Sequence, residues 1–468
     1  MALPSAQAAL PSIDKYRSQV LSHPLARGIS PDEVRDHLAS VPRERYPSVA
    51  YAGHGPGPCI QPRGGFPLFE DQYQLTRQLD GAGADFIPLT IDSYTRQNQY
   101  ETATKLLHRS EEEEKNYLNG YPLISHGYEL TRQLYCGLKK PVSLRHGTPD
   151  ARLLAEVAMA SGIAEIEGGA ICYCLPYSEG FPLDRSLLYW QYVDRVCAVN
   201  STEDLPIHRE SFGPLTATLV PPALVIAVEI IEALLAAEQG VQSFAVSFGQ
   251  TGSIIQDVAT AAVLRKLARW YLDDLGFGAV QTYLVYHQWM GQFPMERERA
   301  SALISGSAIV SSMIEADKVV VKTVDEALGL PRAEMNAEAC DTVQYVLRTF
   351  RAAGTVTSPM IEREATLIES ETKSILNAVF DMSGTAFWES VCRAFRLGYL
   401  DIPFAPHADN SNKLLSVRDG NGSIRIAVAG NVPISAQDAY LERELLKSRD
   451  DRTDKTYRQI LTDIRVMV

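Results

Sequence analysis

The most constraining feature of this chain is a pattern that repeats between about residues 50 and 330: a short β-rich apolar run followed by a longer amphipathic stretch. The clearest apolar runs are residues 86–91, 142–144, 163–166, 243–248, 280–286 and 319–321. Strands that alternate with helices are typical of α/β proteins with a parallel sheet. Polar motifs follow strands along most of this region, which favours a closed (β/α)8 TIM barrel over a doubly wound open sheet. No Gly-x-Gly-x-x-Gly motif follows a strand and opens a helix, which weakens the dinucleotide-binding alternative.

Local signals at one predicted helix support this repeat. Thr148 is expected to cap the helix, with Pro149 at its first position and Asp150 in its first turn. Apolar residues then recur at helical spacing until Gly162, which is expected to end the helix. The next apolar run begins directly afterwards, as a βα repeat requires.

The 468 residues suffice for one large domain with elaborations or for two ordinary ones. Residues 1–45 are polar and interrupted by prolines, and we expect an N-terminal helical arm there. Residues 46–331 are predicted to form the barrel that carries the substrate site. Residues 332–468 combine long amphipathic stretches with a Gly-Asn-Gly turn at 420–422, which predicts a C-terminal α+β extension packed on the barrel.

Composition excludes several classes of protein. The formal net charge of −13 argues against a nucleic-acid partner, since phosphate binding requires a basic face. The most apolar long stretch, residues 222–238, contains Glu229 and Glu232 and is therefore expected to be a buried helix rather than a membrane span. No secretory signal is recognisable at the N-terminus.

The seven cysteines are odd in number and scattered, and none forms a Cys-x-x-Cys pair. This pattern is typical of reduced thiols and predicts a cytoplasmic protein without a disulfide framework. Cys172 and Cys174 have no second pair of ligands nearby, so the sequence predicts no metal site.

Three arginines each follow a run that is predicted to be a strand: Arg63, Arg96 and Arg145. If these strands lie in one barrel, the three guanidinium groups point toward one mouth. Each group is a planar fork of donors that binds carboxylate or phosphate through paired hydrogen bonds. Together they predict a receptor for a small polyanion, whereas the default interpretation of any one of them alone is a solvated charge or a pair with an acidic neighbour.

A further strand-end motif adds a carboxylate and two phenols. Glu167 follows an apolar run, Gly168 and Gly169 permit a tight turn or a close approach of the backbone, and Tyr173 and Tyr177 come next. Three arginines with one carboxylate and two phenols fit an amino dicarboxylic acid. A glycine turn with two packing tyrosines is the structural alternative.

Another signal lies after the last β-rich run. Lys322 could form a Schiff base if it is desolvated, or could bind a hydroxyl or phosphate group. Glu326 lies one helical turn later and could pair with Lys322. An ordinary ion pair is the alternative interpretation.

Taken together, these motifs resemble the large (epsilon) subunit of glutamate mutase, also called methylaspartate mutase. The motifs are Arg-Gly-Gly at 63–65, Thr-Ile-Asp-Ser-Tyr-Thr-Arg at 90–96, Arg-His-Gly-Thr-Pro-Asp-Ala-Arg at 145–152, Glu-Gly-Gly at 167–169 and Glu-Ser-Phe-Gly-Pro-Leu-Thr at 210–216. The resemblance implies an adenosylcobalamin-dependent (β/α)8 barrel. It also implies an isomerase that interconverts L-glutamate and threo-3-methyl-L-aspartate by a radical carbon-skeleton rearrangement.

The resemblance also implies a role for individual residues. The substrate is expected to contact Arg63, Arg96, Arg145, His146, Glu167, Tyr173 and Tyr177, with Glu167, Arg96 and Tyr177 as the catalytic residues and Glu167 facing the amine. The cofactor is expected to contact Gly65, Asn119, Pro176, Phe293, Lys322, Glu326 and Leu330, with Lys322 and Glu326 near the adenosyl ribose.

The sequence also lacks one motif, and this absence bears on the partner that the resemblance implies. Cobalamin-binding folds of this mutase class ligate cobalt through the histidine of Asp-x-His-x-x-Gly, and none of the nine histidines has an aspartate two residues before it. We therefore expect a separate small (sigma) cobalamin-binding subunit that shares the cofactor, and a homodimer of large subunits within a heterotetramer. Two alternatives remain open: a barrel lyase or aldolase that acts on a dicarboxylic acid through Lys322, and a non-catalytic partner of a cobalamin protein.

Overall fold

The structure is a computed structural model that describes residues 13–213, 219–329, 331–350, 356–382, 386–449 and 457–467. Eight strands form one parallel sheet: β1 Cys59–Gln61, β2 Ile87–Thr90, β3 Val142–Arg145, β4 Glu165–Glu167, β5 His208–Glu210, β6 Ser243–Gly249, β7 Gln281–His287 and β8 Lys318–Val320. The sheet order is β1-β8-β7-β6-β5-β4-β3-β2. All strand ends with the same polarity therefore meet at one end of the sheet.

The sheet closes on itself between β1 and β2. The carbonyl oxygen of Ile60 accepts hydrogen bonds from the amides of Asp85 and Phe86 at 2.8 and 3.2 Å, and the amide of Thr90 donates to Gly64 at 3.0 Å. The predicted (β/α)8 TIM barrel is confirmed. Every strand that was predicted is present, while β1 and β5, each three residues long, were not delimited from the sequence.

Helices surround the barrel and extend beyond it. They are α1 Ile13–Leu21, α2 Pro31–Ser40, α3 Pro47–Gly53, α4 Phe69–Gly81, α5 Ser93–Arg96, α6 Tyr100–Glu113, α7 Leu123–Leu134, α8 Arg152–Ala160, α9 Leu183–Asn200, α10 Pro222–Glu238, α11 Ile254–Asp274, α12 Arg297–Met313, α13 Ala333–Thr349, α14 Pro359–Phe380, α15 Phe387–Leu397, α16 Ala436–Leu446 and α17 Tyr457–Ile464. Near the N-terminus, Arg17 of α1 forms a buried 2.8 Å ion pair with Glu156 of α8. This pair fastens the N-terminal helices to the barrel.

Helix α8 begins later than its sequence predicts. Its N-cap is Ala151, which makes no side-chain capping bond, and its first residue is Arg152. Thr148 instead accepts a 3.2 Å hydrogen bond from the amide of Asp150, and the Asp150 carboxylate pairs with Arg152 at 2.7 Å. The predicted capping segment is therefore a turn that precedes the helix, because its polar groups satisfy one another. Gly162 lies just past the helix end with a φ of +81°, as predicted.

Helix α10 is buried along nearly its whole length, as its apolar sequence predicts. Its two acidic residues are held by specific donors. Glu229 accepts a 2.6 Å hydrogen bond from the Ser211 hydroxyl, and Glu232 accepts one of 2.7 Å from the amide of Ile171. Within the described ranges, no helix combines the length and the apolar character that crossing a membrane requires.

The C-terminal region adds a hairpin of β9 Leu415–Arg418 and β10 Ile424–Val428, which pair antiparallel around the predicted turn at 420–422. Gln256 of α11 accepts a 2.8 Å hydrogen bond from the amide of Ile424 and donates one of 3.0 Å to its carbonyl oxygen. The hairpin is thus joined to the barrel by a glutamine whose role the sequence did not reveal. The three-part domain division at residues 45 and 331 stays a prediction.

Candidate active site

Strand pairing brings the predicted polar residues together at the carboxyl end of the barrel. Arg145 is the last residue of β3 and pairs in register with Thr90, the last residue of β2. Glu167 is the last residue of β4 and pairs with Glu210, the last residue of β5. Four neighbouring strands therefore end on one patch of the barrel mouth.

The centre of this patch is an ion pair between Arg145 and Glu167. Nη2 of Arg145 lies 2.7 Å from Oε1 of Glu167, and the hydroxyl of Tyr173 donates a 2.5 Å hydrogen bond to Oε2. Burial raises the pKa of Glu167, against the opposing effect of Arg145. Burial and the neighbouring Glu167 raise the pKa of Tyr173 well above its usual value, so the phenol keeps its proton and acts as a donor.

Arg96 approaches the same space from the short helix α5. Asp92 caps this helix by accepting hydrogen bonds from the amides of Tyr94 and Thr95 at 2.9 and 3.0 Å. Nε of Arg96 donates to the carbonyl oxygen of Ile91 at 2.6 Å, which fixes the direction of the side chain. Burial lowers the pKa of Arg96, and the positive charge of Arg63 contributes to the shift. The two arginines therefore present their charges to a common region.

His146 is buried beside this region as a neutral ring. Its ring stacks on Trp190 at 5.7 Å between centroids and meets the edge of Tyr173 at 4.9 Å. Nδ1 accepts a 3.2 Å hydrogen bond from the amide of Thr148, so the proton is assigned to Nε2. Burial lowers the pKa of His146 well below its usual value, and Arg96 adds to this effect. The buried Nε2 makes no hydrogen bond of good geometry among the described residues; the backbone oxygen of Glu167 is its nearby acceptor, and a ligand could replace it.

Tyr177 and Pro176 lie on the loop that follows β4. Tyr177 is 41% exposed, and its ring lies 6.0 Å from that of Tyr173 and 6.4 Å from that of Phe212. Burial of its hydroxyl raises the pKa of Tyr177. The loop therefore covers the Arg145–Glu167 pair with aromatic rings while one ring remains accessible from outside.

Glycines after Glu167 let this loop pack closely. Gly168 has a φ of +108°, and a Cβ atom there would lie 2.3 Å from the ring of Tyr173. A Cβ atom on Gly169 would lie 2.5 Å from the carboxylate of Glu232. Only residues without a side chain fit at these two positions, which agrees with the predicted tight turn; an approach of this backbone to a ligand stays a prediction.

Arg63 belongs to a second group of charges. Its Nη1 atom donates a 3.0 Å hydrogen bond to Oε1 of Glu326, and the ammonium group of Lys322 donates to the same oxygen. Burial lowers the pKa of Lys322 to about 7; Arg63 adds to this shift and Glu326 opposes it. The predicted pairing of Lys322 with Glu326 is confirmed, and Arg63 joins that pair.

The predicted cofactor residues do not form one group: Pro176 lies on the loop that follows β4, and the others that the structure describes lie in two further places. Phe293, Lys322 and Glu326 line one cavity of about 310 Å³, together with Met290, Gly291, Gln292, Met295 and Ala327. Gly65 and Asn119 lie instead beside β2 and α5: a Cβ atom on Gly65 would meet the Thr90 carbonyl oxygen at 2.2 Å, and Oδ1 of Asn119 accepts a 2.8 Å bond from the amide of Ser93. Leu330 lies outside the described residues.

Several residues of the site were not predicted from the sequence. Lys318 is fully buried inside the barrel, with its ammonium 2.9 Å from Oε1 of Glu165 and 2.5 Å from Oε2 of Glu210. Glu210 also lies 3.7 Å from Nη1 of Arg145. A continuous charged network therefore runs from the barrel interior to Arg145. One sequence signal could have identified Glu165: it lies two residues before Glu167, and this spacing places both on one face of β4.

His287 and Phe212 were also missed. His287 is the last residue of β7, and its ring lies 5.0 Å from that of Phe212. Burial lowers the pKa of His287 well below its usual value, with Arg145 and Arg63 adding to the shift. The guanidinium group of Arg145 lies 5.8 Å from the centre of the Phe212 ring. Position at a strand end, the signal that identified the arginines, would have identified both.

Known proteins are similar in sequence to this chain over most of its length. The profile of the family described as methylaspartate mutase E chain (MutE) matches residues 48–468. A glutamate mutase epsilon subunit of Desulfitobacterium hafniense is 38% identical over 96% of this chain and 94% of its own length. Those of Halobacterium salinarum and Escherichia coli O157:H7 are 39% and 41% identical over 92% and 86% of this chain, and over 90% and 84% of their own lengths. The chain belongs to the methylaspartate mutase E chain family.

Proposed function

We propose that this chain is the catalytic large subunit of a glutamate mutase, an isomerase that interconverts L-glutamate and threo-3-methyl-L-aspartate. Family membership supports the reaction, and the buried Arg145–Glu167 pair at the barrel mouth is the observation that carries the site assignment. A dicarboxylate with one amine matches a site that combines several guanidinium groups with one carboxylate.

Each part of the substrate has a partner of opposite charge. The guanidinium groups of Arg145, Arg96 and Arg63 bind the two carboxylates, with the neutral His146 as an additional donor through Nε2. Glu167 accepts the ammonium group, because an ionised carboxylate keeps free lone pairs after bonding to Arg145 and Tyr173. Anchoring at both ends holds the carbon skeleton in place while one of its groups migrates.

The cavity beside Lys322 fits the adenosyl part of adenosylcobalamin. Phe293 and two methionines offer an apolar wall for a base, and the Lys322–Glu326 pair offers a donor and an acceptor to sugar hydroxyls. When bound, this cofactor supplies the radical chemistry of the rearrangement. The chain itself binds the substrate, orients it and excludes water from the reacting centre.

A second subunit completes the proposed enzyme. The sequence has no Asp-x-His-x-x-Gly motif, so a small (sigma) cobalamin-binding subunit is expected to share the cofactor at the barrel mouth. The name epsilon subunit, which the relatives carry, supports an assembly of unlike chains. A homodimer of large subunits within a heterotetramer, and a cytoplasmic location, remain predictions.

The test combines the purified chain with a small cobalamin-binding subunit from a relative, adenosylcobalamin and L-glutamate. We expect 3-methylaspartate by NMR and a radical signal coupled to cob(II)alamin by electron paramagnetic resonance. A relative's large subunit serves as the control that the small subunit is competent. Absence of product and of the radical signal beside a working control would reject the proposal.

One observation favours a second candidate function. The pKa of Lys322 is lowered to about 7, which leaves much of its amine neutral and nucleophilic, as Schiff-base enzymes require. Its pairing with Glu326 and the neighbouring Arg63 weighs against this lyase or aldolase, because the amine is already engaged. Borohydride trapping of a dicarboxylic substrate on Lys322 would support it. The full set of ligand-type residues argues against a non-catalytic partner protein.

A further inference from the structure

We infer that the opposite end of the barrel carries a binding site for a divalent metal ion of the zinc class, formed by His54, Cys59 and Asp85. One ligand atom from each side chain lies within 4.8 Å of those of the other two. It is the single group of this kind among the residues that the structure describes. This site is independent of the proposed mutase activity.

The backbone places two of the three residues at the amino ends of the strands between which the barrel closes, and the third at the end of a helix. Cys59 is the first residue of β1, and Asp85 lies two residues before β2. His54 caps the end of α3. The amide of Ile60 donates a 2.8 Å hydrogen bond to Oδ2 of Asp85, which orients the carboxylate and leaves Oδ1 directed at the histidine.

The distance between His54 and Asp85 suits two ligands of one ion better than a direct bond. Nδ1 of His54 and Oδ1 of Asp85 are 3.8 Å apart, beyond hydrogen-bond range. Zinc bonds of about 2.0–2.3 Å in tetrahedral geometry place neighbouring ligand atoms about 3.3–3.8 Å apart. All three ligand atoms lie within 4.8 Å of one another, so a displacement of the Cys59 sulfur by roughly 1 Å would complete such a set.

The site also has a route for entry and room for a fourth ligand. His54 and Cys59 line a cavity of about 360 Å³, whose wall includes Glu315 and Asp317. A set of one nitrogen, one sulfur and one carboxylate oxygen with an open fourth position is typical of Zn²⁺ among biological divalent ions. On binding, the thiol proton is released to solvent and the thiolate ligates the metal.

The ion would fasten the end of α3 to the first residues of β1 and β2. These are the strands at which the barrel closes, through the hydrogen bonds between Ile60 and the segment before β2. A ligand that binds only the folded state stabilises it by mass action, so the metal would strengthen this closure. The sequence analysis did not predict this site, because its three ligands lie at irregular spacing.

Titration of the chelator-treated chain with Co²⁺, followed by Zn²⁺ competition, tests the inference. We expect one equivalent of Co²⁺ to produce a thiolate charge-transfer absorption band, which one equivalent of Zn²⁺ then abolishes. Cys59→Ser should lose the band, and His54→Ala should weaken binding about tenfold or more. Cys136→Ser, at an exposed cysteine, should leave the absorption band and the affinity for the metal unchanged.

His54 is partly exposed, so we expect His54→Ala to fold. This variant therefore tests the site even if Cys59→Ser fails to fold. Circular dichroism establishes the fold of each variant, and the thermal midpoint of the wild-type chain should rise with Zn²⁺. Absence of stoichiometric binding by the folded wild-type chain would overturn the site. So would a band that His54→Ala retains at full affinity or that Cys136→Ser removes.

Discussion

Arg145 and Glu167 form a 2.7 Å ion pair between the ends of neighbouring strands, with side chains only 4% and 0% exposed. A buried charge that loses its partner is strongly destabilising, so neither side chain can turn away without a large cost. The pair is therefore rigid, and it presents the remaining donors of one guanidinium group in a fixed direction. Such rigidity suits a site that must hold a dicarboxylate in a single orientation.

The shape of the guanidinium group at position 145 should matter beyond its charge. Arg145→Lys keeps the positive charge beside Glu167 but loses the planar fork. We expect kcat/KM to fall about 100-fold, since small misplacements of a substrate have effects of this size. The measurement is NMR detection of 3-methylaspartate with the small subunit present. Arg109→Lys, in an exposed pair with Glu113, is the control, and unaltered kinetics at position 145 would remove this arginine from the clamp.

Gly169 should tolerate no side chain. A Cβ atom there would lie 2.5 Å from the Glu232 carboxylate, which cannot retreat because the amides of Ile171 and Cys172 hold it at 2.7 and 3.2 Å. We expect Gly169→Ala to lower the free energy of unfolding by about 1–3 kcal/mol in urea titrations. Gly180→Ala is the matched control, since no atom lies within 4 Å of a Cβ atom at that position. Equal stability of the two variants would contradict the prediction.

The buried Lys318 should be a major contributor to stability. Lys318→Met leaves Glu165 and Glu210 without their shared cation inside the barrel. We expect the free energy of unfolding at neutral pH to fall by about 3–5 kcal/mol. The loss should shrink in acid, where Glu165, whose pKa burial raises to about 7, takes up a proton. Lys266→Met, in an exposed pair with Glu369, is the control and should change stability little. An equally small effect of Lys318→Met would show that the pairs of Lys318 with Glu165 and Glu210 do not stabilise the fold.

Lys322 should give the chain a characteristic pH dependence. Its pKa in the folded protein is about 7, against an ordinary value of 10.5, so the folded state binds fewer protons than the unfolded state between these limits. Stability due to this group therefore rises with pH in that window, by about 1 kcal/mol per pH unit.

Urea titrations of the wild-type chain and of Lys322→Met across this window isolate the contribution. The difference in unfolding free energy, wild type minus variant, should increase as pH rises above 7. A constant or falling difference would mean that Lys322 keeps its proton in the folded chain. Lys266→Met again serves as the exposed control.

The sequence alone determined the barrel and the kinds of polar residue at its mouth. Alternation of β-rich runs with amphipathic stretches predicted parallel strands, and the rule that their carboxyl ends meet placed Arg145 and Glu167 together. Both signals are local, because strand periodicity and strand ends can be recognised within a few residues. The start of α8 was misplaced because the polar groups of Thr148 and Asp150 bond within a turn instead of capping the helix.

Only the tertiary structure decided which distant side chains share partners. Arg63 pairs with Glu326 across 263 positions of sequence, and Lys318 reaches Glu165 across 153. The register of eight strands and the closure of the sheet set these contacts, and no local pattern encodes either. The tertiary structure thus determined which charged residues pair with one another. The sequence determined which kinds of residue stand at each strand end.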